Sequence, residues 1–141
     1  MQAFWFGALS ALISGAALAA GSSAGYEYGG FPAARFDAVV MQYNRSGELF
    51  RIDGHCQSAC TLFLRIRNVC IGPGARLLFH AAHDQSRVRN EAYTQHFLQA
   101  YNDKLRGFLL AHHALDEVER FYTVSGRDMI QKFGYPQCPA K

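Results

Sequence analysis

Three short stretches of the sequence carry residues that could act together. The first is Cys56-Gln57-Ser58-Ala59-Cys60, with a serine between two cysteines. The second is His80, at the end of an apolar run and 22 residues after Ser58. The third is the pair Gly29-Gly30. A serine becomes a nucleophile only when a base takes its proton and donors receive the oxyanion that follows. Histidine is the usual base near neutral pH. A glycine pair lets backbone N–H groups approach closely and serve as donors. The set Ser58, His80, Gly29 and Gly30 therefore reads as acyl-transfer machinery. Each member also has a plain structural reading. Ser58 can cap a helix, His80 can be a satisfied core side chain, and the glycines can simply turn the chain.

The four cysteines, Cys56, Cys60, Cys70 and Cys138, all lie beyond the apolar N-terminal stretch. An even number in an exported chain favours disulfides. Cys60 at the start of a helix and Cys70 in the strand after it predict a Cys60–Cys70 bridge. Cys56 and Cys138 then pair, with Cys56–Cys70 and Cys60–Cys138 as the nearest rival. Free buried cysteines are the alternative. His80-x-x-His83 could form half a metal site. No second close cysteine pair follows Cys56 and Cys60, so no metal or other cofactor is expected.

These residues need elements to position them. Phe36, Val39, Val40 and Tyr43 recur at helical spacing, and Ser46-Gly47 ends that helix. Leu49–Ile52, Val69–Ile71 and Arg76–Phe79 read as strands, and Tyr26–Tyr28 as extended. A helix is predicted from Ser58 to about Leu64. A long one follows from Glu91 to His112, its inner side carrying Tyr93, Phe97, Ala100, Tyr101, Leu105, Phe108 and Leu109. Shorter helices are predicted over Asp116–Phe121 and Asp128–Phe133, around an extended Tyr122–Val124. Alternating strands and helices predict a single α/β domain with a partly parallel sheet flanked by helices. Functional groups in such domains gather where strands end and helices begin. Ser58, His80 and Gly29-Gly30 are all placed at strand ends.

Composition limits the function classes. Half of the 141 residues are hydrophobic and 18% are charged, which is globular and neither disordered nor collagenous. The net charge of +3 comes from scattered residues rather than a basic stripe, so nucleic acid is not an expected partner. Residues 1–24 lack any charged side chain, and Ala3–Ala20 is apolar or small. This reads as an export signal, cut after Ala19 or Ala24, leaving 25–141 as the domain. The periplasm or the exterior is then the expected location. An uncleaved anchor is the alternative, and only then is a membrane a partner.

The layout Gly29-Gly30, helix, strand, Cys56-Gln57-Ser58-Ala59-Cys60-Thr61, strand, Arg76-Leu77-Leu78-Phe79-His80 resembles the Clp-protease and crotonase-like superfamily. Within it, the chain looks like small exported Clp-protease-like bacterial proteins. Ser46-Gly47-Glu48, Ile52-Asp53-Gly54, Cys70, Pro73, Ala81-Ala82, Ser125-Gly126-Arg127-Asp128 and Pro136-Gln137-Cys138 also match. The resemblance implies a Clp-protease/crotonase-like fold with Ser58 as nucleophile, His80 as base and Gly29-Gly30 as oxyanion donors. It implies a serine hydrolase acting on peptide or acyl substrates. A binding or scaffold module that keeps the fold without the chemistry is the alternative. The family's acid would fall near Phe121, where this chain has none. Asp116, Glu117, Glu119 and Asp128 are the nearby carboxylates. An exported chain meets no ATP, so no ATP-dependent unfoldase is expected as partner. Oligomeric state is not legible.

Overall fold

A turn at Asp53-Gly54 divides the strands into two three-stranded sheets. In the computed structural model, which describes residues 21–141, β1 (Gly21–Ser22), β2 (Phe50–Ile52) and β4 (Val69–Ile71) form one sheet, all parallel, in the order β1-β2-β4. β3 (His55–Gln57), β5 (Arg76–Phe79) and β6 (Tyr122–Ser125) form the other, in the order β3-β5-β6. There β3 runs parallel to β5, and β6 is antiparallel to it. The molecule is an α/β domain with partly parallel sheets, as its alternating pattern predicts.

Helix α1 (Ala34–Ser46) forms on the predicted apolar face. Phe36 and Val40 are buried, and Val39 and Tyr43 pack beside them. Gly47 ends it at φ 73°, in the left-handed region that glycine enters freely. The predicted helix at Ser58 is a 3₁₀ helix, Ser58–Arg65, with Ala59–Leu64 all buried. Phe63 joins Phe36 and Phe50 in one aromatic cluster at the centre of the core, with ring centroids 5.6 and 4.7 Å away.

Four expectations are corrected. The long helix over Glu91–His112 is two helices, α2 (Glu91–Ala100) and α3 (Asp103–Ala111). Asn102 restarts the chain by accepting from the Leu105 N–H, and Arg106 caps the last carbonyls of α2 at Leu98 and Tyr101. Apolar spacing runs through the break, which is why it reads as continuous. Asp116–Phe121 forms no helix. Its carbonyls go elsewhere: Glu117 accepts from the Ala81 N–H, and Val118 from the His80 ring. Tyr26–Tyr28 is a turn rather than extended, closed by Gly29 N–H donating to the Tyr26 carbonyl. α4 (Gly126–Gln131) starts two residues early, capped by Ser125. Gly126 is needed there, since a Cβ would lie 2.2 Å from the Gly72 carbonyl oxygen.

The predicted export signal, 1–24, lies outside the described residues up to position 20. Its last four residues belong to the fold. Gly21–Ser22 are β1, and Ser23 is fully buried with its hydroxyl bonded to the Asp53 backbone. Among the described residues no helix is long and apolar enough to cross a membrane.

The disulfides are Cys56–Cys60 and Cys70–Cys138. The predicted pairs Cys60–Cys70 and Cys56–Cys138 are wrong, and so is the rival. The reason is topological. Cys70 lies on β4 of the first sheet, whose free edge takes the C-terminal tail through an Ile71–Gln137 bridge. Cys56 and Cys60 lie either side of the sharp turn at Ser58, which brings their Cα atoms to 5.3 Å. Two disulfides point to a non-reducing, extracellular-type environment.

Candidate active site

β3 ends at Gln57, and the 3₁₀ helix begins at Ser58 with no residue between. The change of direction falls on Ser58 itself, at φ 56°. A non-glycine residue in the left-handed region is strained by about 1–2 kcal/mol and persists only where its surroundings enforce it. Three constraints do so. The Cys56–Cys60 disulfide closes the turn two residues to either side. Gly29 packs against it so closely that a Cβ would lie 2.9 Å from both the Gln57 carbonyl oxygen and the Ser58 Cβ. The Thr61 hydroxyl donates to the Ser58 carbonyl at 2.7 Å and accepts from the buried Tyr101 phenol, also at 2.7 Å. Burial pushes that phenol above its ordinary pKa and keeps it protonated.

His80 is the residue after β5, which lies beside β3. Parallel pairing of Gln57 with Leu78 carries His80 to the Ser58 turn. Its Nε2 is 2.8 Å from Ser58 Oγ. Its Nδ1 is 2.6 Å from the Val118 carbonyl oxygen. A carbonyl only accepts, so Nδ1 carries the hydrogen and Nε2 presents its lone pair to the serine hydroxyl. His80 is 3% exposed. That desolvation holds its pKa below the ordinary histidine value. The Val118 carbonyl and the Glu119 carboxylate oppose the shift, while His83 and Arg87 add to it. The ring is thus neutral at pH 7, the state a general base needs.

The two glycines part company. The Gly29 N–H is already committed to the Tyr26 carbonyl, so the expected Gly29 donor is corrected; Gly29 gives closeness instead. The Gly30 N–H makes no hydrogen bond among the described residues, and Gly30 lines the cleft in front of Ser58. Ala59 lines the same cleft from the first turn of the 3₁₀ helix, where amides have no carbonyl one turn behind them. The cleft holds about 200 Å³. Its walls include Phe31, Ala33, Tyr93 and Phe97, and Arg87 and Glu119 lie at its His80 side, joined by a two-pronged ion pair.

The nearby carboxylates do not reach His80. Asp116 pairs with His113, Glu117 with Arg120, Glu119 with Arg87, and Asp128 with Lys132. The group in the third position is the Val118 carbonyl, which a sequence cannot signal because every residue carries one. Phe121, where the resemblance places an acid, stacks on the His80 ring at a centroid distance of 4.4 Å. His80 and His83 rings are 6.0 Å apart, and His83 Nδ1 bonds the Asp84 carbonyl. Among the described residues no three His, Cys, Asp or Glu side chains converge as a metal site would require. Comparison with protein-family models and with curated proteins finds no match for the chain.

Proposed function

We propose that the protein is a serine hydrolase of the Clp-protease and crotonase-like type, working outside the cytoplasm on peptide or acyl substrates. The observation that carries this reading is the 2.8 Å approach of His80 Nε2 to Ser58 Oγ on a strained turn. Ser58 Oγ attacks the substrate carbonyl, and its proton passes to His80 Nε2. The Nδ1–H stays on the Val118 carbonyl throughout. The Gly30 and Ala59 N–H groups receive the oxyanion. His80 then protonates the leaving group, and water, activated by the same ring, releases the acyl group. The residues before Gly21 serve as the export signal, cut so that β1 survives, and the periplasm is the site of action. The reaction uses neither cofactor nor metal, nor an ATP-dependent unfoldase.

The neutral partner of His80 favours one second reading, a binding module that keeps the fold. A carbonyl stabilises imidazolium less than a carboxylate does, and catalysis is slower for it. Hydrolysis of p-nitrophenyl esters and chromogenic peptides by the mature protein separates the two. The hydrolase reading expects turnover that falls at least about 10³-fold in Ser58→Ala. Equal rates in wild type and Ser58→Ala, or no turnover at all, would leave the binding module.

A further inference from the structure

β5 and β6 are antiparallel, with Phe79 opposite Tyr122. One step further along this ladder, His80 comes opposite Phe121, and directly opposed side chains meet. The two rings lie nearly parallel, 28° apart, with centroids 4.4 Å from one another. The ring is bonded at both nitrogens, to Ser58 Oγ and to the Val118 carbonyl. When Ser58 attacks, the Nε2 contact is lost and the imidazole is left to pivot about the Nδ1 bond. A ring lying on its face removes the freedom. When His80 takes the serine proton it becomes a cation over an aromatic face, an attractive arrangement. The titratable and charged groups near the ring are His83, Glu119 and Arg87, and the last two are bound to each other.

We infer that Phe121 is a positioning residue. It holds the plane of the His80 ring over Ser58 and attracts the imidazolium that forms during reaction, where a carboxylate would otherwise serve. This rests on the nucleophile–base reading of Ser58 and His80. Phe121 is 39% exposed, so its replacement leaves the core intact.

The test compares Phe121→Leu, Phe121→Ala and Phe121→Tyr with two readouts. One is the titration of His80 followed by NMR, which needs no activity. The other is the rate of labelling by a fluorophosphonate. Leucine keeps the bulk without the π face. It should lower the His80 midpoint by about half a pH unit and slow labelling several-fold. Alanine should slow labelling at least as much, while the water it admits to the ring raises the midpoint again, and tyrosine should restore both. Identical His80 titration in wild type and Phe121→Leu overturns the inference, whatever the labelling shows. A midpoint that moves as expected in a protein that never labels supports the stacking role and removes the hydrolase reading instead.

Discussion

The two halves of the site are held in different ways. Ser58 is fixed covalently and by packing: a disulfide across its turn, a glycine pressed against its Cβ, and the buried Thr61–Tyr101 pair beneath its carbonyl. His80 is fixed by neutral, non-covalent contacts from an irregular segment, Val118 and the half-exposed Phe121. The strained residue has the stiff support. His80, in ordinary backbone next to a strand, needs only orientation. The difference teaches where a substitution should disable the chemistry outright and where it should merely tune it.

Changes on the stiff side carry the largest expected effects. Gly29→Ala puts a methyl group into the Ser58 turn at φ 68°. It should destabilise the fold by about 2–4 kcal/mol in urea unfolding and abolish labelling of Ser58. A Gly29→Ala protein with wild-type labelling would break the claim that this glycine shapes the turn. His80→Ala comes next, because it removes the ring itself rather than one of the contacts that hold it. Loss of the proposed base should slow labelling by about 10²–10⁴-fold while Ser58 stays in place.

The disulfides sharpen the comparison further. Closing the 68-residue separation of Cys70–Cys138 is worth about 4 kcal/mol in the chain-entropy picture, and the 4-residue separation of Cys56–Cys60 about 2 kcal/mol. Replacing both cysteines of the long pair by serine should therefore cost more stability. Replacing the short pair should cost more reactivity, because Cys56–Cys60 encloses Ser58 while Cys70–Cys138 ties down the tail. Urea midpoints and labelling rates, measured well below each unfolding transition, check the crossed pattern. If both measurements rank the two pairs in the same order, the short disulfide has no special hold on the site.

On the soft side the expected effects are smaller. His80 has a folded-state pKa below its unfolded value of about 6.5. Below that value the unfolded chain binds its proton first, so stability from this residue is complete above about pH 6.5 and is lost as pH falls through the folded value. The labelling rate should follow the same ring, rising with pH through a midpoint below the ordinary histidine value. A midpoint above 6.5 would contradict the assignment. Least of all, Glu119→Gln removes one partner of an exposed, solvent-screened ion pair and should leave the urea midpoint essentially unchanged.

The elements that alternate cleanly were the most legible. β2, β4, β5 and β6 follow from short apolar runs between turn residues, and α1 from its 3.6-residue spacing. Ser58 and His80 are legible as a pair from their residue types and the strands near them, but β3 itself (His55–Gln57), the strand that ends at Ser58, is too short and polar to read as one. What the sequence hid has physical causes. The break at Asn102 is a capping event inside an unbroken apolar stripe. The disulfide pairing depends on which sheet each cysteine joins, and the turn at Asp53-Gly54 that separates the sheets is short and polar like many others. The partner of His80 Nδ1 is backbone, and the change of Gly29 from donor to spacer depends on a hydrogen bond to Tyr26 that no residue type announces.

The central claim is that Ser58 is a nucleophile activated by His80. Peptide mapping by mass spectrometry after fluorophosphonate treatment tests it most directly. The account predicts one phosphonyl adduct, on the Oγ of Ser58, absent in Ser58→Ala and strongly reduced in His80→Ala. An unmodified wild-type protein, or an adduct that persists in Ser58→Ala, would contradict it.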